Sequence, residues 1–171
     1  SIRFVNFGEP SFFAMAVSED SGQNLILAGY AENADPNFNQ NCYMVKCTPM
    51  GDVIWWRSRP PRSRFTQVLI TQDGGILGIG FRRLNGDGEG TAMVVKYSSN
   101  GDELWTRDIV SADNDTRTCG LSDGFEMADG SLVVAGRITN FALGLNDKGM
   151  LHKLDQEGVV QWSRYYAHYA D

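Results

Sequence analysis

The chain alternates short apolar runs with polar turns that contain glycine, and this alternation occurs three times. Each copy holds an apolar run ending in glycine, a second run ending in lysine, and a third run with tryptophan and arginine. Apolar runs of this length, bounded by turn residues, are typical of buried β-strands. The pattern predicts an all-β chain. The copies are 25–29, 43–46 and 51–57; 76–80, 93–96 and 101–107; and 132–136, 150–153 and 158–164.

The spacing within the copies is the strongest evidence for a repeat. The interval from lysine to tryptophan is nine residues in every copy, and successive tryptophans lie 50 and 57 residues apart. Periods of this size mark propeller blades or arrays. We therefore expect residues 1–171 to be one β-propeller segment of four-stranded antiparallel blades. Its predicted parts are 1–8 (outer strand of a preceding blade), 9–58, 59–109 and 110–166 (three blades) and 167–171 (tail).

Each blade is predicted to begin with a short opening strand and a tight hairpin. The hairpins should form at Ser21-Gly22, Asp73-Gly74-Gly75 and Asp129-Gly130, because Asp and Gly accommodate the positive φ of such turns. The first copy has one extra residue in this turn according to the alignment. The predicted opening strands are Ala14–Glu19, Thr66–Thr71 and Gly124–Ala128.

Four residue types recur at equivalent places in the copies, and we interpret them as structural. The tryptophan should pack between adjacent sheets, where one ring buries about 200 Å². The glycine should let neighbouring backbones approach closely. A charge needed for chemistry would break the repeat rather than follow it, so the lysines and arginines should make repeated structural contacts. These residues are Trp55, Trp105, Trp162, Lys46, Lys96, Lys153, Arg57, Arg107, Arg164, Gly29, Gly80 and Gly136.

Composition and charge exclude some partners. The formal net charge is −6, and the 15 lysines and arginines are scattered along the chain without a basic stripe. Nucleic-acid binding needs a basic footprint that displaces counterions, so we expect none. Apolar runs stay far shorter than the roughly 20 residues that cross a bilayer, so no membrane insertion is expected either.

The cysteines and histidines point to core positions. Cys42 and Cys47 lie five residues apart in one predicted strand, so their side chains should not bridge each other. With Cys119 they are expected to be buried free thiols. His152 replaces the valine of the other two copies, and we expect a core or inter-blade histidine rather than a catalytic one. The other histidine is His168.

One loop and one sequon are weak candidate sites. Asn85, Asp87 and Glu89 place oxygen ligands at alternate positions, as at the start of a calcium loop. The twelfth position of that loop is Lys96, where a bidentate glutamate belongs, so a solvated polar loop is the favoured interpretation. Asn114 begins an Asn-X-Thr triplet and is a candidate glycosylation site.

The second copy carries the clearest resemblance to a known family. Its segments Gln72–Gly80 and Asn100–Trp105 read QDGGILGIG and NGDELW, which is the pattern DGG-x-ILxxG, then VK, then NGDxLW, without the x between DGG and IL. This pattern resembles the tandem β-propeller repeats of bacterial surface and secreted proteins, and more distantly the blades of quinoprotein-type propellers. Quinoprotein blades carry an Ala and an Asp before their turn, and this chain lacks that Asp in every copy. No cofactor is therefore expected.

Three functions follow from these features, in order. The first is a non-catalytic scaffold or interaction module, extracellular or on a cell surface, whose partners are proteins, including copies of itself. No Gly-x-Ser-x-Gly nucleophile motif occurs. The second is a carbohydrate-binding propeller, and the third is a fragment of a quinone-dependent dehydrogenase. The exposed aromatic residues expected for the second are Phe38, Phe81, Tyr166 and Tyr169.

The number of blades predicts that this segment does not close a ring alone. Propellers typically contain four to eight blades. The segment Ser1–Val5 aligns with Trp162–Tyr166, so an outer strand precedes the first complete blade. We expect further chain or another copy to complete the ring.

Overall fold

The structure is a computed structural model that describes residues 11–32, 40–59, 62–83, 90–109, 118–140 and 145–166. Within these ranges the chain forms twelve β-strands in three four-stranded sheets. These ranges hold no helix that could span a bilayer.

Sheet 1 contains β1 (Ser11–Glu19), β2 (Leu25–Glu32), β3 (Gln40–Cys47) and β4 (Val53–Arg59). Sheet 2 contains β5 (Ser63–Ile70), β6 (Ile76–Arg83), β7 (Gly90–Tyr97) and β8 (Glu103–Ile109). Sheet 3 contains β9 (Thr118–Glu126), β10 (Leu132–Asn140), β11 (Leu145–Leu154) and β12 (Val160–Tyr166).

Each sheet is an antiparallel meander in which neighbours in sequence are neighbours in space. The expected all-β class and the four-stranded antiparallel sheets are confirmed. Because strand direction alternates, the tight hairpins of a sheet lie at one end, which we call the hairpin end. At the opposite end, which we call the loop end, β2, β6 and β10 stop and β3, β7 and β11 begin. The last strand of each sheet stops there too.

The strand register explains the constant nine-residue interval. Lys46 pairs directly with Trp55 across β3 and β4, and the same pairing joins lysine to tryptophan in the other two sheets. Between these partners lie a five-residue turn and a register shift of one residue, which is a β-bulge. An insertion there would move the tryptophan to the other face of its strand.

A second β-bulge shapes every opening strand. Met15, Thr66 and Ser122 are the extra residues at equivalent positions of β1, β5 and β9. The predicted end of β1 at Glu19 is confirmed, and β5 and β9 end one and two residues before the predicted positions. The predicted starts were wrong, since the observed strands begin three residues earlier in β1 and β5 and six residues earlier in β9. The bulge causes this error because it interrupts the two-residue alternation by which a strand is identified in sequence.

The hairpin between the first two strands also differs from the prediction. All three such turns have the same length, because Asp20, Thr71 and Met127 each donate a backbone hydrogen bond to the residue four positions later. The first copy therefore has no extra residue. Positive φ falls on Gln23 in sheet 1, at 64°, rather than on Gly22. Asp20 Oδ1 accepts hydrogen bonds from the backbone of Gly22 and Asn24, which holds this turn in place.

The core consists of two clusters, each between consecutive sheets. Every sheet contributes apolar side chains from its middle strands, and full burial of one such side chain contributes about 1.5–3 kcal/mol. The cluster between sheets 1 and 2 includes Ile26, Met44, Phe65, Met93 and Val95. The cluster between sheets 2 and 3 includes Leu77, Ile79, Val94, Leu121, Val134 and Met150.

Candidate functional site

The first two repeat tryptophans contact the following sheet. The indole of Trp55 donates a hydrogen bond to the Ser99 carbonyl at 3.3 Å, and a Cβ on Gly101 would lie 2.9 Å from its ring. Trp105 lies equally close to Gly158 in sheet 3, where an added Cβ would be 2.8 Å from the ring. Both glycines have positive φ. Packing between adjacent sheets is therefore confirmed for these two tryptophans.

Trp162 differs from its two counterparts. It lies on β12 of sheet 3 with 36% of its surface exposed, and none of the described residues covers it as the Gly101 turn covers Trp55. The packing predicted from the repeat is thus not seen among the described residues at this third position. The contact of Trp55 and Trp105 is made by the next sheet, and the described residues contain no sheet after sheet 3.

The repeat arginines lie against their own tryptophans. The guanidinium carbons of Arg57, Arg107 and Arg164 are 5.4, 5.5 and 5.7 Å from the ring centres. Arg57 Nε also donates a hydrogen bond to the Gly101 carbonyl at 2.7 Å, so this side chain joins sheet 1 to sheet 2. Arg57 thus makes a contact between sheets of the kind expected for the repeat arginines.

The repeat lysines form ion pairs with the first hairpin of their own sheet. The Nζ–carboxylate distances are 2.7 Å for Lys46 and Asp20, 2.6 Å for Lys96 and Asp73, and 3.6 Å for Lys153 and Asp129. The three lysines thus make the same contact in each sheet, which is the kind of repeated contact expected for them. A carboxylate is present in all three hairpins, although Asp20 stands at the position of Thr71 rather than of Asp73.

These contacts keep the hairpin carboxylates ionised. Hydrogen bonds from Lys96 and Thr71 lower the pKa of Asp73 to about 2. Burial opposes ionisation of Asp20, but hydrogen bonds from Lys46 and from the turn outweigh it and lower its pKa to about 2. Both charges are therefore already neutralised locally and are not free for a ligand.

The recurring glycines oppose the bulges of the opening strands. A Cβ on Gly29, Gly80 or Gly136 would lie 1.9, 2.0 or 2.0 Å from a backbone carbonyl oxygen of β1, β5 or β9. Real Cβ atoms cannot approach an oxygen so closely. The predicted close approach of neighbouring backbones is confirmed.

His152 is a buried structural residue. It is 1% exposed, its Nδ1 lies 2.7 Å from Ser163 Oγ, and Tyr165 meets its ring edge-on. Burial lowers the pKa of His152, which favours the neutral ring. The expectation of a core histidine is confirmed. The three cysteines are likewise buried, as predicted, with no disulfide among the described residues, and burial raises the pKa of Cys42 to about 11.

Several predicted sites lie outside the described residues. They are residues 1–8 and 167–171, Asn85, Asp87 and Glu89, Asn114, Phe38, His168 and Tyr169. The calcium-loop and glycosylation candidates therefore stay predictions. In the part of the chain that the structure describes, no three His, Cys, Asp or Glu side chains are grouped as metal ligands.

The two described aromatic candidates for sugar binding are not brought together. Phe81 is half-buried on β6, and the guanidinium of Arg64 lies 4.4 Å from its ring centre. Tyr166 is 60% exposed at the end of β12, on another sheet. One face of the Phe81 ring is thus already occupied by a cation.

A cavity of about 480 Å³ opens between sheets 2 and 3, near the loop end. Arg64 of β5, Arg83 of β6 and Arg137 of β10 line it, and none of its described lining residues is Asp or Glu. We call it the arginine cavity. Burial lowers the pKa of Arg64, and the charges of Arg83 and Arg137 lower it further. The cavity is therefore a site of concentrated positive charge in an acidic chain.

The bulges of the opening strands contribute hydroxyl groups to the arginine cavity. The bulge residues Thr66 and Ser122 both line it, together with Thr139. Thr66 Oγ1 lies 3.0 Å from the Ile79 carbonyl and 2.7 Å from the Leu121 carbonyl, so it contacts both sheets. The extra residue in each strand thus places a polar side chain where regular alternation would not.

The three arginines do not follow the repeat. The positions equivalent to Arg64 hold Phe13 and Gly120, and those equivalent to Arg137 hold Tyr30 and Phe81. Sequence reasoning missed them because they are far apart along the chain. The sequence did contain a signal that could have found them. Each is a charged residue that breaks the repeat, and such charges are the ones expected to serve a function.

A second cavity, of about 240 Å³, lies at the hairpin end and is acidic. Its carboxylates already have partners in the protein. Asp73 and Asp129 bind the repeat lysines, and Glu126 accepts a hydrogen bond from the backbone of Gln72 at 2.6 Å. The carboxylates of this cavity are therefore already engaged in contacts that hold the sheets and hairpins together.

Comparison with known proteins supports the fold alone. No protein-family model and no curated protein matches this chain. A crystal structure of a protein of unknown function from Dyadobacter fermentans is similar, with a TM-score of 0.61 and 13% identity, over 87% of this chain and 49% of that one. This chain thus spans about half the length of that protein. A protein of unknown function from Bacteroides caccae is 12% identical over 92% of this chain and 83% of its own, with a TM-score of 0.35.

Proposed function

We propose that this protein is a non-catalytic β-propeller interaction module that docks a further four-stranded repeat on sheet 3. The exposure of Trp162 carries this proposal. Its two counterparts are each covered by a glycine turn of the following sheet, and no described residue covers Trp162 in this way. A repeat supplied by a second copy of the chain would cover it in the same way.

The rest of the same surface supports the proposal. In sheet 1, Ile26 and Met44 are fully buried under sheet 2. Their equivalents in sheet 3, Val133 and Leu151, are only half-buried. Together with Trp162 and Arg164 they form what we call the open face of sheet 3. Covering this face would complete the burial that the other sheets achieve.

The complementary element is present at the other end of the molecule. Gly51 has a φ of 86°, like those of Gly101 and Gly158, but an added Cβ there would meet no atom of the described residues within 4 Å. Its turn is thus free to cover the Trp162 of a second copy. Head-to-tail contacts of this type generate closed rings or open filaments, according to the rotation between copies.

The absence of a proton acceptor supports the non-catalytic part of the proposal. The described lining of the arginine cavity contains arginines, hydroxyl groups and the buried Cys119, but no His, Asp, Glu or Lys. A hydroxyl nucleophile needs an adjacent base to be activated.

The resemblance to repeats of bacterial surface proteins supports an extracellular or cell-surface location.

Light scattering after size-exclusion chromatography tests the docking surface. We expect the 171-residue chain to associate as its concentration rises. Trp162→Asp should abolish the association because it places a charge in the contact. The matched control is Leu104→Asp, since Leu104 is 56% exposed on β8 outside the open face. A chain that stays monomeric at every concentration, or equal loss in both variants, would contradict the proposal.

A further inference from the structure

We infer that the arginine cavity binds the oxyanion group, carboxylate or phosphate, of a small ligand. Three guanidinium groups from three strands line one cavity, and no described lining residue is a carboxylate. Like charges that share a cavity repel one another, and an anion placed among them relieves this repulsion. This site is separate from the open face of sheet 3 and does not depend on the docking of a second copy.

Other arginines of the same sheets have acidic partners. Arg59 forms an ion pair with Glu103 at 2.7 Å, and Arg82 forms one with Asp108. Arg64 and Arg83 have no such partner among the described residues. In a chain with 21 acidic residues, carboxylates are abundant, so their absence from the described lining distinguishes this cavity from the hairpin-end cavity, which is acidic.

The surroundings of Arg64 leave its donors available to a ligand. Its guanidinium lies 4.4 Å from the ring centre of Phe81 and 6.0 Å from that of Tyr30. Contact with an aromatic ring uses the flat face of the guanidinium, whereas its N–H groups point outward within the plane. The Nε atom is buried and has no hydrogen-bond partner among the described residues. The terminal N–H groups of the guanidinium are the donors that an anion in the cavity would bind.

The size and the other lining groups fit a small organic anion. A volume of about 480 Å³ falls in the range of small-molecule sites, roughly 300–1,000 Å³. The hydroxyl groups of Ser122 and Thr139 can bind further oxygen atoms of the ligand. Arginine binds carboxylate and phosphate through the same parallel pair of hydrogen bonds, so the chemistry shared by the two is what the cavity recognises.

Titration calorimetry of the full chain at low ionic strength tests the inference. The probes are inorganic phosphate, glucuronate as a carboxylate, and glucose as the neutral analogue of glucuronate. We expect saturable binding of at least one anion and no binding of glucose. The anion that binds more tightly shows whether the ligand's oxyanion group is a phosphate or a carboxylate. If neither anion binds saturably, or if glucose binds as well as glucuronate, the inference is wrong.

Variants connect the binding to the cavity. Arg83→Gln should weaken anion binding about tenfold or more, because one charge-assisted hydrogen bond is lost. Arg83 is exposed, so this change should leave the fold intact, and Arg64→Gln is the second variant. Arg59→Gln removes the same charge on sheet 1, outside both the cavity and the open face of sheet 3, and should bind the anion like wild type. Equal weakening in Arg59→Gln and Arg83→Gln would show only a general charge effect and overturn the assignment.

The same titration in the Trp162→Asp background separates this site from the docking surface. Trp162 does not line the arginine cavity. We therefore expect anion binding to persist in this variant whether or not the wild-type chain associates. Loss of binding in Trp162→Asp would place the anion at the contact between copies and contradict the assignment.

Discussion

At the scale of single residues, equivalent positions of the repeat have unequal environments. Trp105 contacts the core between sheets 2 and 3 and the Gly158 turn, whereas Trp162 has neither kind of cover among the described residues. Identical residues at identical register positions therefore contribute differently to stability. The difference arises from the neighbouring sheet and not from the residue.

The two tryptophans should respond differently to truncation. We expect Trp105→Ala to lower the free energy of unfolding by about 3–5 kcal/mol, because it removes a ring packed between two sheets. Trp162→Ala should cost less than about 1 kcal/mol, as is usual for surface changes. Urea denaturation of dilute protein measures both values. Equal losses would mean that Trp162 is covered within the monomer.

Glycine substitutions should show a similar contrast. Gly80→Ala is expected to destabilise the protein by about 2–3 kcal/mol, because its Cβ would lie 2.0 Å from the Arg64 carbonyl oxygen. Gly120→Ala is the control, since its Cβ would approach nothing closer than the Phe81 ring at 3.8 Å. Thermal unfolding of the two variants distinguishes them. A harmless Gly80→Ala would refute the close approach at the bulge.

At the scale of elements, the first hairpin of each sheet adopts one geometry with different sequences. Sheets 2 and 3 place glycine at the residue with positive φ, whereas sheet 1 places Gln23 there. The left-handed conformation costs an L-residue about 1–2 kcal/mol. The hydrogen bonds of Asp20 to Gly22 and Asn24 offset part of this cost.

Exchange of residues at this turn position tests the shared geometry. Gln23→Gly should stabilise the protein by about 0.5–1 kcal/mol, because glycine adopts positive φ without steric strain but loses more freedom on folding. Gly74→Gln, the reverse change at the equivalent site, should destabilise it by about 1 kcal/mol. Chemical denaturation measures both changes. The shared geometry would be contradicted if Gln23→Gly destabilised the protein.

At the scale of the whole molecule, an acidic chain contains a local site of positive charge. The net charge is −6, but three of its arginines meet in one cavity. A long polyanion is repelled by the whole surface, whereas a small anion inside the cavity interacts mainly with the nearest charges because salt screens the rest beyond about 10 Å.

This charge distribution predicts no binding of nucleic acid at physiological salt. Three arginines inside a cavity cannot neutralise the run of phosphates needed to release counterions. A gel-shift assay with double-stranded DNA and with RNA at micromolar protein measures this. A salt-sensitive shift that Arg83→Gln abolishes would mean that the cavity binds a polyanion and that the charge argument is wrong.

The sequence by itself determined the local order of the fold. Apolar runs, turn glycines and the nine-residue interval from Lys46 to Trp55 predicted antiparallel strands, because hairpin pairing depends on residues close together in the chain. The same patterns misplaced the starts of β1, β5 and β9 and the turn at Gln23. A bulge and an Asp20-stabilised turn both break the simple period that sequence analysis uses.

The tertiary structure alone decided which residues meet. Arg64, Arg83 and Arg137 lie on three strands of two sheets, and no spacing rule relates positions so far apart. Likewise, Trp105 and Trp162 occupy equivalent positions of the repeat, yet their environments differ. Sheet 3 packs over Trp105, whereas no described sheet follows sheet 3 to pack over Trp162. Side-chain contacts between sheets depend on how whole sheets pack against each other, and that information is not local to any segment of the chain.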